Sequence, residues 1–436
     1  MRATLSAIQS RIVDVKPQEI RALWLGFAFH FLILTGYYIM RPIRDSIAAG
    51  NRLETLPWMF TATLIAMVIA NALFAAIVAR MSRRKFIPLA YGFFIFNLAL
   101  FFILMRTGSP AQQVWIGRAL YVWVSVFNLF NTAIFWAFMT DLFTVEQGKR
   151  LYGFIAVGGS LGGVLGPFIT ARYVQTIGPA NLLAISATIF AIAAALVQFF
   201  PNNFTDRNKP VKAQGEEPIG GSIWSGLTHI VHSPYLLGLA GSMLLYTTSG
   251  TWAYFQQSDL TRSALSNSAT RTIFLAHLDI WVNSITVIIQ IFLTGRLLKW
   301  FGVGFTLVAM PLVSMLGFGA MGIAPSLALL AVFQVARRVA AYALLRPSRE
   351  ILFTVLKRED KYKVKSVTDT LGYRTGDQLG AWSYTGLTAL GLGLSSISFI
   401  AVPVLAGWCV LSVWLGRKQV ALAAKEETSS QDNSRR

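Results

Sequence analysis

The sequence predicts an all-α membrane protein of about twelve spanning helices, and three observations carry that prediction. Of its 436 residues, 55% are hydrophobic and only 13% are charged, about half the charged share of a soluble domain. The apolar residues gather into runs that approach or exceed the roughly 20 residues a helix needs to cross a bilayer. The 38 Lys and Arg residues fall mostly in short segments on one side of those runs, the positive-inside pattern. Water would demand polar cover for so much apolar surface, whereas a lipid bilayer does not.

The runs fall at 22–40, 57–79, 86–105, 115–139, 151–171 and 177–200, then at 234–255, 273–295, 303–323, 327–346, 371–393 and 395–416. Residues 1–21 mix Arg2, Arg11, Lys16 and Arg21 with apolar residues and read as an amphipathic lead-in. They are not read as a cleavable signal, because the first run is long enough to span and no small-residue cleavage site follows it. The predicted organisation is a six-helix bundle over 22–200, a hydrophilic linker over 201–230 containing Pro201, Pro210 and Pro218, a second bundle over 231–417, and a tail over 418–436. The Lys/Arg bias puts both termini and the linker in the cytoplasm of a multi-pass protein of the bacterial inner membrane.

Several function classes are excluded by pattern. A net charge of +19 would suit nucleic acid, but the charge lies in inter-helix loops rather than on one soluble face. The basic run Arg80–Lys85 is sufficiently explained as a positive-inside anchor. No phosphate loop, zinc-protease helix, Cys-x-x-Cys pair or nucleophile elbow occurs, so no enzyme, metal or cofactor is expected. The His residues at 30, 229, 232 and 277 are too scattered for a metal site. Cys409 is the single cysteine and cannot form an intrachain disulfide. Gly158, Gly162 and Gly166 recur every four residues inside an apolar run, which is the spacing of a close helix–helix contact rather than a phosphate cradle.

Six helices, a linker and six more is the arrangement of the major facilitator fold, which nests three-helix repeats in each half. The sequence carries an internal echo of such repeats. The first run ends Tyr-Tyr-Ile-Met-Arg-Pro-Ile-Arg-Asp at 37–45, and the tenth ends Tyr-Ala-Leu-Leu-Arg-Pro-Ser-Arg-Glu at 342–350. Within it, Arg41 and Asp45, like Arg346 and Glu350, are spaced for i,i+4 ion pairs. Pro42 and Pro347 each withhold a backbone donor. Arg41, Arg44, Asp45, Arg346, Arg349 and Glu350 are therefore candidate gating residues at kinked helix ends.

Polar residues within spans are costly, and so they are informative. The eighth run carries Asp279, Asn283, Thr286 and Gln290 in one stripe, which must face either a wet cavity or a neighbouring helix. The tenth carries Gln334, Arg337, Arg338 and Tyr342. One of its two arginines is expected to face the cavity, where a guanidinium grips a carboxylate or phosphate through paired hydrogen bonds. Asn128, Asn131 and Thr132 in the fourth run suit either a site or helix–helix bonding. Arg374 and Asp377, spaced i,i+3, are expected to pair.

Three stretches resemble the ATP:ADP antiporter family, in particular its short bacterial branch: Tyr37–Asp45, Glu146–Ser160 and Asp360–Asp377. In the last, the similar pattern falls on Lys363, Lys365, Asp369, Thr370, Tyr373, Arg374, Gly376 and Asp377. The resemblance implies nucleotide exchange through a facilitator-like fold, and it adds Asp369 to the gating or coupling candidates. Where that family relies on embedded Lys and Glu, this sequence carries Arg and Asp279.

The expected function is secondary active transport of a small anionic metabolite by alternating access, with nucleotide exchange as the first candidate. The expected partners are the lipid bilayer and that solute, not nucleic acid. A proton-coupled exporter of lipophilic solutes, using Asp279 or Asp377, is the alternative. A non-transporting membrane scaffold or sensor is a third, against which the polar stripe of the eighth run argues.

Overall fold

Inside lipid a backbone must bond to itself, so each apolar run closes into a helix. The structure, a computed structural model, describes residues 15–78, 83–201, 230, 233–356, 364–365 and 367–434. The lead-in through residue 14, Arg80–Ser82 of the basic run, the linker at 202–229, His229, His232, Lys363 and the last two residues lie outside the described residues.

Four helices open the chain: α1 (Ile20–Gly50), α2 (Leu56–Val78), α3 (Arg83–Thr107) and α4 (Pro110–Leu142). A continuous stretch, Val145–Leu196, is divided by Gly178 at φ 79°, a left-handed conformation open to glycine. Pro179 follows it, and the break separates α5 (145–177) from α6 (179–196). Next come α7 (Pro234–Ala264), α8 (Ser268–Phe292) and α9 (Thr294–Ile323), the last interrupted at Gly302 with φ 74°. α10 (Leu327–Leu352) contains a π-helical turn at Ala340–Leu345. A second π turn, Thr368–Gly372, leads into α11 (Tyr373–Ala389), and α12 (Leu394–Ser434) closes the fold.

Among the described residues, nine stretches are long and apolar enough to cross a membrane. The α5–α6 stretch counts as two of the expected spans. α7 and α11 complete the twelve despite their polar content, which in α7 includes Thr247, Ser249, Thr251, Gln256 and Gln257. Several helices outrun their expected spans, α7 continuing to Ala264 and α12 to Ser434, and the first is the most informative. The first span was expected to end near residue 40, yet α1 runs on to Gly50 with Pro42 inside it. Proline removes one internal hydrogen bond, but Ile39, Met40, Ile43, Ala48 and Ala49 are all buried, and this packing carries the helix past the missing bond. Arg41, Arg44 and Asp45 therefore lie within a helix rather than at its end.

The chain divides into two compact units. The first comprises residues 1–51, 61–214 and 265–283, and the second 52–60, 215–264 and 284–436. Most of α8 thus groups with the N-terminal half, although sequence order places the whole helix in the C-terminal bundle.

Each unit repeats one packing plan. In the first, α1 packs on α4 and α5, and α3 on α4 and α6; in the second, α7 packs on α10 and α11, and α9 on α10 and α12. The α1–α5 contact uses the glycine stripe: a Cβ on Gly158 or Gly162 would lie 2.4 Å from a backbone oxygen of α1. The α7–α11 contact uses Gly376 and Gly380, whose absent side chains admit Thr247 and Thr251. Polar bonding repeats as well. Asn131 of α4 donates to the Ile33 carbonyl of α1 at 3.4 Å, and Gln334 of α10 donates to the Ala253 carbonyl of α7 at 2.9 Å. The first unit also absorbs many of the aromatics into its core, with Trp123 stacked on Phe127 and Phe127 set edge-on to Phe94 and Phe190.

Candidate functional site

In the first unit the arginines of α1 are met by acids. Arg41 Nη1 lies 3.3 Å from Asp279 Oδ1, and its Nε lies 3.9 Å from Asp45. Asp45 is held more closely by Arg44, whose Nη2 and Nε approach it at 2.6 and 2.9 Å. Asp279 is buried, with 1% of its surface exposed, so its charge depends on Arg41 for compensation.

The stripe on α8 meets neighbouring helices. Below Asp279, Asn283 donates to the Gly163 carbonyl of α5 at 2.6 Å. Gln290, in the second unit, donates to the Tyr342 carbonyl of α10 at 3.2 Å. Asn131 is fully buried and also accepts from Tyr91 at 3.1 Å. Asn128 is half-buried and Thr132 exposed. His30 stacks on Phe135 and bonds the Ile155 carbonyl through Nδ1, a packed core position.

The second unit arranges its charge differently. Arg337 is 6% exposed and Arg338 is half-buried. Arg337 faces α7, where its Nη2 lies 3.3 Å from the Tyr246 carbonyl and 3.5 Å from the Ser249 hydroxyl. Gly250 leaves room for the guanidinium, since a Cβ there would lie 2.9 Å from Nη2. Tyr246, Tyr342 and Tyr373 lie within electrostatic range of it. Among the described residues no carboxylate pairs with Arg337, and its Nε has no hydrogen-bond partner. This combination of one buried cation and three tyrosines, drawn from α7, α10 and α11, is the centre of the candidate site. Sequence reading found Arg337 and Tyr342 but missed Tyr246, Ser249 and Tyr373 as its neighbours.

Beyond this centre, ion pairs link α10 to the segment leading into α11. Arg349 Nη2 lies 3.1 Å from Asp369, and Lys365 Nζ lies 2.5 Å from Glu350. The pair expected between Arg346 and Glu350 is replaced: Glu350 takes Lys365 and, at 4.0 Å, Arg349, while Arg346 lies over the Tyr342 ring at 4.6 Å. Arg346 and Glu350 both lie in the α-helical stretch after the π turn, so their i,i+4 spacing holds, and Glu350 is drawn instead to Lys365 from outside the helix. Arg374 and Asp377 pair at 3.2 Å, and Thr251 donates to the same carboxylate at 3.4 Å.

The remaining stretch, Glu146–Ser160, begins with a capping box of Thr144 and Gln147 and ties α5 to the foot of α1. Glu19 accepts from the Lys16 backbone N–H at 3.0 Å, from Gln147 at 2.9 Å and from Arg150 at 3.0 Å. Burial pushes the Glu19 carboxyl up, but these three donors outweigh it and hold the group below the ordinary carboxylate range.

Twelve helices among the described residues, in two repeated units with charge buried inside them, are the architecture of a membrane transporter. The chain belongs to the Major Facilitator Superfamily, whose model matches residues 23–348. It is similar over nearly its whole length to proteins named ADP,ATP carrier protein 1. The protein of Chlamydia muridarum (strain MoPn / Nigg) is 22% identical, with 94% of this chain and 89% of the relative covered. That of Chlamydia pneumoniae is 20% identical, with 98% and 97% covered. Two crystal structures share the fold. A bacterial homologue of the iron transporter ferroportin, in its inward-facing state, matches with a TM-score of 0.64 at 11% identity over 92% of this chain and all of that one. A point mutant of the nucleoside transporter NupG matches with a TM-score of 0.62 at 12% identity over 91% of this chain and 99% of that one.

Proposed function

We propose that this transporter exchanges a small anionic metabolite, with nucleotides of the ATP and ADP type as the first candidates, and that Arg337 grips the anion. The observation that carries this reading is the burial of Arg337 with no carboxylate beside it among the described residues. A buried charge without a counter-charge is costly, and a substrate phosphate or carboxylate supplies one. The guanidinium offers paired donors matched to such groups. Tyr246, Tyr342 and Tyr373 add flat apolar faces and hydroxyls around it, which suits a substrate with a ring as well as a charge. The nearly full-length similarity to proteins named ADP,ATP carrier protein supports the same substrate class.

The two six-helix bundles, 22–200 and 231–417, are the halves that alternate. Both termini and the 201–230 linker lie in the cytoplasm of a bacterial cell, with the protein in the inner membrane. The alternative, a proton-coupled exporter of lipophilic solutes, would use Asp279 or Asp377, which lie beside Arg41 and Arg374 at 3.3 and 3.2 Å.

Reconstitution into liposomes loaded with ADP tests the substrate. Labelled ATP should enter only when a counter-nucleotide is inside, and Arg337→Gln should abolish the exchange. If neither ATP nor any other anion exchanges, while lipophilic cations move with a pH gradient, the exporter is the better account. Reporter fusions at Gln214 and Arg436 that read as periplasmic would overturn the inside–inside topology.

A further inference from the structure

α10 carries a defect and, beside it, the groups that satisfy it. In the π turn the Arg346 N–H bonds the Ala341 carbonyl, five residues back. Residue 347, next in line to donate, is a proline and has no N–H. A donor there would have served the Tyr342 carbonyl, one π step back, or the Ala343 carbonyl, one α step back. Each is met by a side chain from outside α10. Gln290 Nε2 of α8 donates to the Tyr342 carbonyl at 3.2 Å, and Thr294 Oγ1 of α9 donates to the Ala343 carbonyl at 2.9 Å.

The π turn has a consequence for the arginines. Arg337 and Arg349 are twelve positions apart, which in an unbroken α-helix would separate them by about 120° around the axis. A turn that takes up one extra residue leaves them about 20° apart. The contacts agree with the second figure. Arg337 reaches the Tyr246 carbonyl of α7, and Arg349 Nη1 lies 3.1 Å from Met243 Sδ on the same helix. Tyr246, Met243 and Arg349 also line one small cavity, together with Leu239, Leu345 and Leu352.

We propose that Gln290 and Thr294 are positioning residues for transport. By replacing the donor that Pro347 withholds, they hold the π turn that sets Arg337 and Arg349 on one line against α7. The link to transport rests on the assignment of Arg337 to the anion, but the structural claim is tested without any substrate. In a Cys409→Ala chain, Leu239→Cys and Leu352→Cys place two thiols on the cavity, and a short bifunctional thiol reagent should join them. Gln290→Met with Thr294→Val removes both donors at nearly constant volume, and the cross-link yield should fall severalfold. Thr294→Ser in place of Thr294→Val should restore it.

ATP exchange without the two reporter cysteines gives the second reading. The Gln290→Met, Thr294→Val chain should show an apparent KM raised about tenfold, the factor expected when the Ala343 carbonyl, whose bond to Thr294 is buried, is left unmet. A folded double variant that cross-links like its parent overturns the proposal, as does Thr294→Ser behaving like Thr294→Val. Should the double variant fail to fold, Thr294→Val against Thr294→Ser decides the question by the same cross-link. Absence of ATP exchange in the unmodified chain would count against the substrate assignment and leave the cross-link result standing.

Discussion

In the first unit, Arg41 lies 3.3 Å from Asp279 and Arg44 lies 2.6 Å from Asp45. In the second, Arg337 is more fully enclosed and is met by a carbonyl and a hydroxyl, at 3.3 and 3.5 Å. The surrounding architecture is shared. Glycines bring α1 onto α5 and α7 onto α11, and an amide from α4 or α10 bonds a carbonyl of α1 or α7. Repeated packing with unequal charge shows that packing and chemistry are separable on this fold. The scaffold is served by small residues and amides, and the difference between the units lies in where a carboxylate is supplied.

The largest expected effect breaks the compensated side. Asp279→Asn removes the carboxylate that lies 3.3 Å from Arg41, and losing one member of a buried pair costs about 3–5 kcal/mol. Thermal unfolding in detergent should register that loss, and Arg41→Gln added to Asp279→Asn should recover much of it. A double variant no more stable than the single would show that the two side chains do not act as a pair.

On the uncompensated side, Arg337→Gln should cost anion binding about 2–5 kcal/mol, the range for truncating one partner of a desolvated charge pair. Arg337→Lys should keep part of the affinity, since an ammonium lacks the guanidinium fork. Arg338→Gln should have a smaller effect. Stability should change little in Arg337→Gln, because no carboxylate among the described residues is left behind. Calorimetric titration with ATP separates these outcomes, and equal losses at 337 and 338 would remove the distinction drawn between them.

The packing plan predicts a smaller, symmetric effect. Gly162→Ala and Gly380→Ala should each destabilise by about 1–3 kcal/mol, the usual cost of overpacking. A Cβ would lie 2.4 Å from a neighbouring backbone oxygen at the first and 2.9 Å from one at the second. Gly153→Ala, with nothing within 4 Å, serves as the control. Melting temperatures of the three variants check whether both contacts are as close as described.

The smallest effect is at the foot of the first unit. Because Glu19 is held below the ordinary carboxylate value of 4.5, its contribution to stability is full above that value. It is lost as pH falls through the lower, folded-state value. Glu19→Gln should therefore lower stability at neutral pH and flatten the acid end of the stability profile. Parallel curves for the variant and the parent between pH 7 and pH 3 would count against it.

The sequence by itself determined the all-helical major facilitator fold, the membrane setting and the positions where polar groups enter apolar helices. Hydropathy and periodicity report these directly, because a helix in lipid has to hide each polar side chain on one face. Gly158, Gly162 and Gly166 were legible as a contact surface for the same reason. Tertiary structure decided what each polar face meets. Asp279 needed Arg41 from a helix more than two hundred residues earlier, and Asn283 needed the Gly163 carbonyl. The choice between Arg337 and Arg338 came down to which of two adjacent side chains points at α7. Glu350 takes Lys365 rather than Arg346, a partner outside the helix on which the i,i+4 spacing was counted. Periodicity says which residues share a face only while the period holds, and it never says what lies opposite that face.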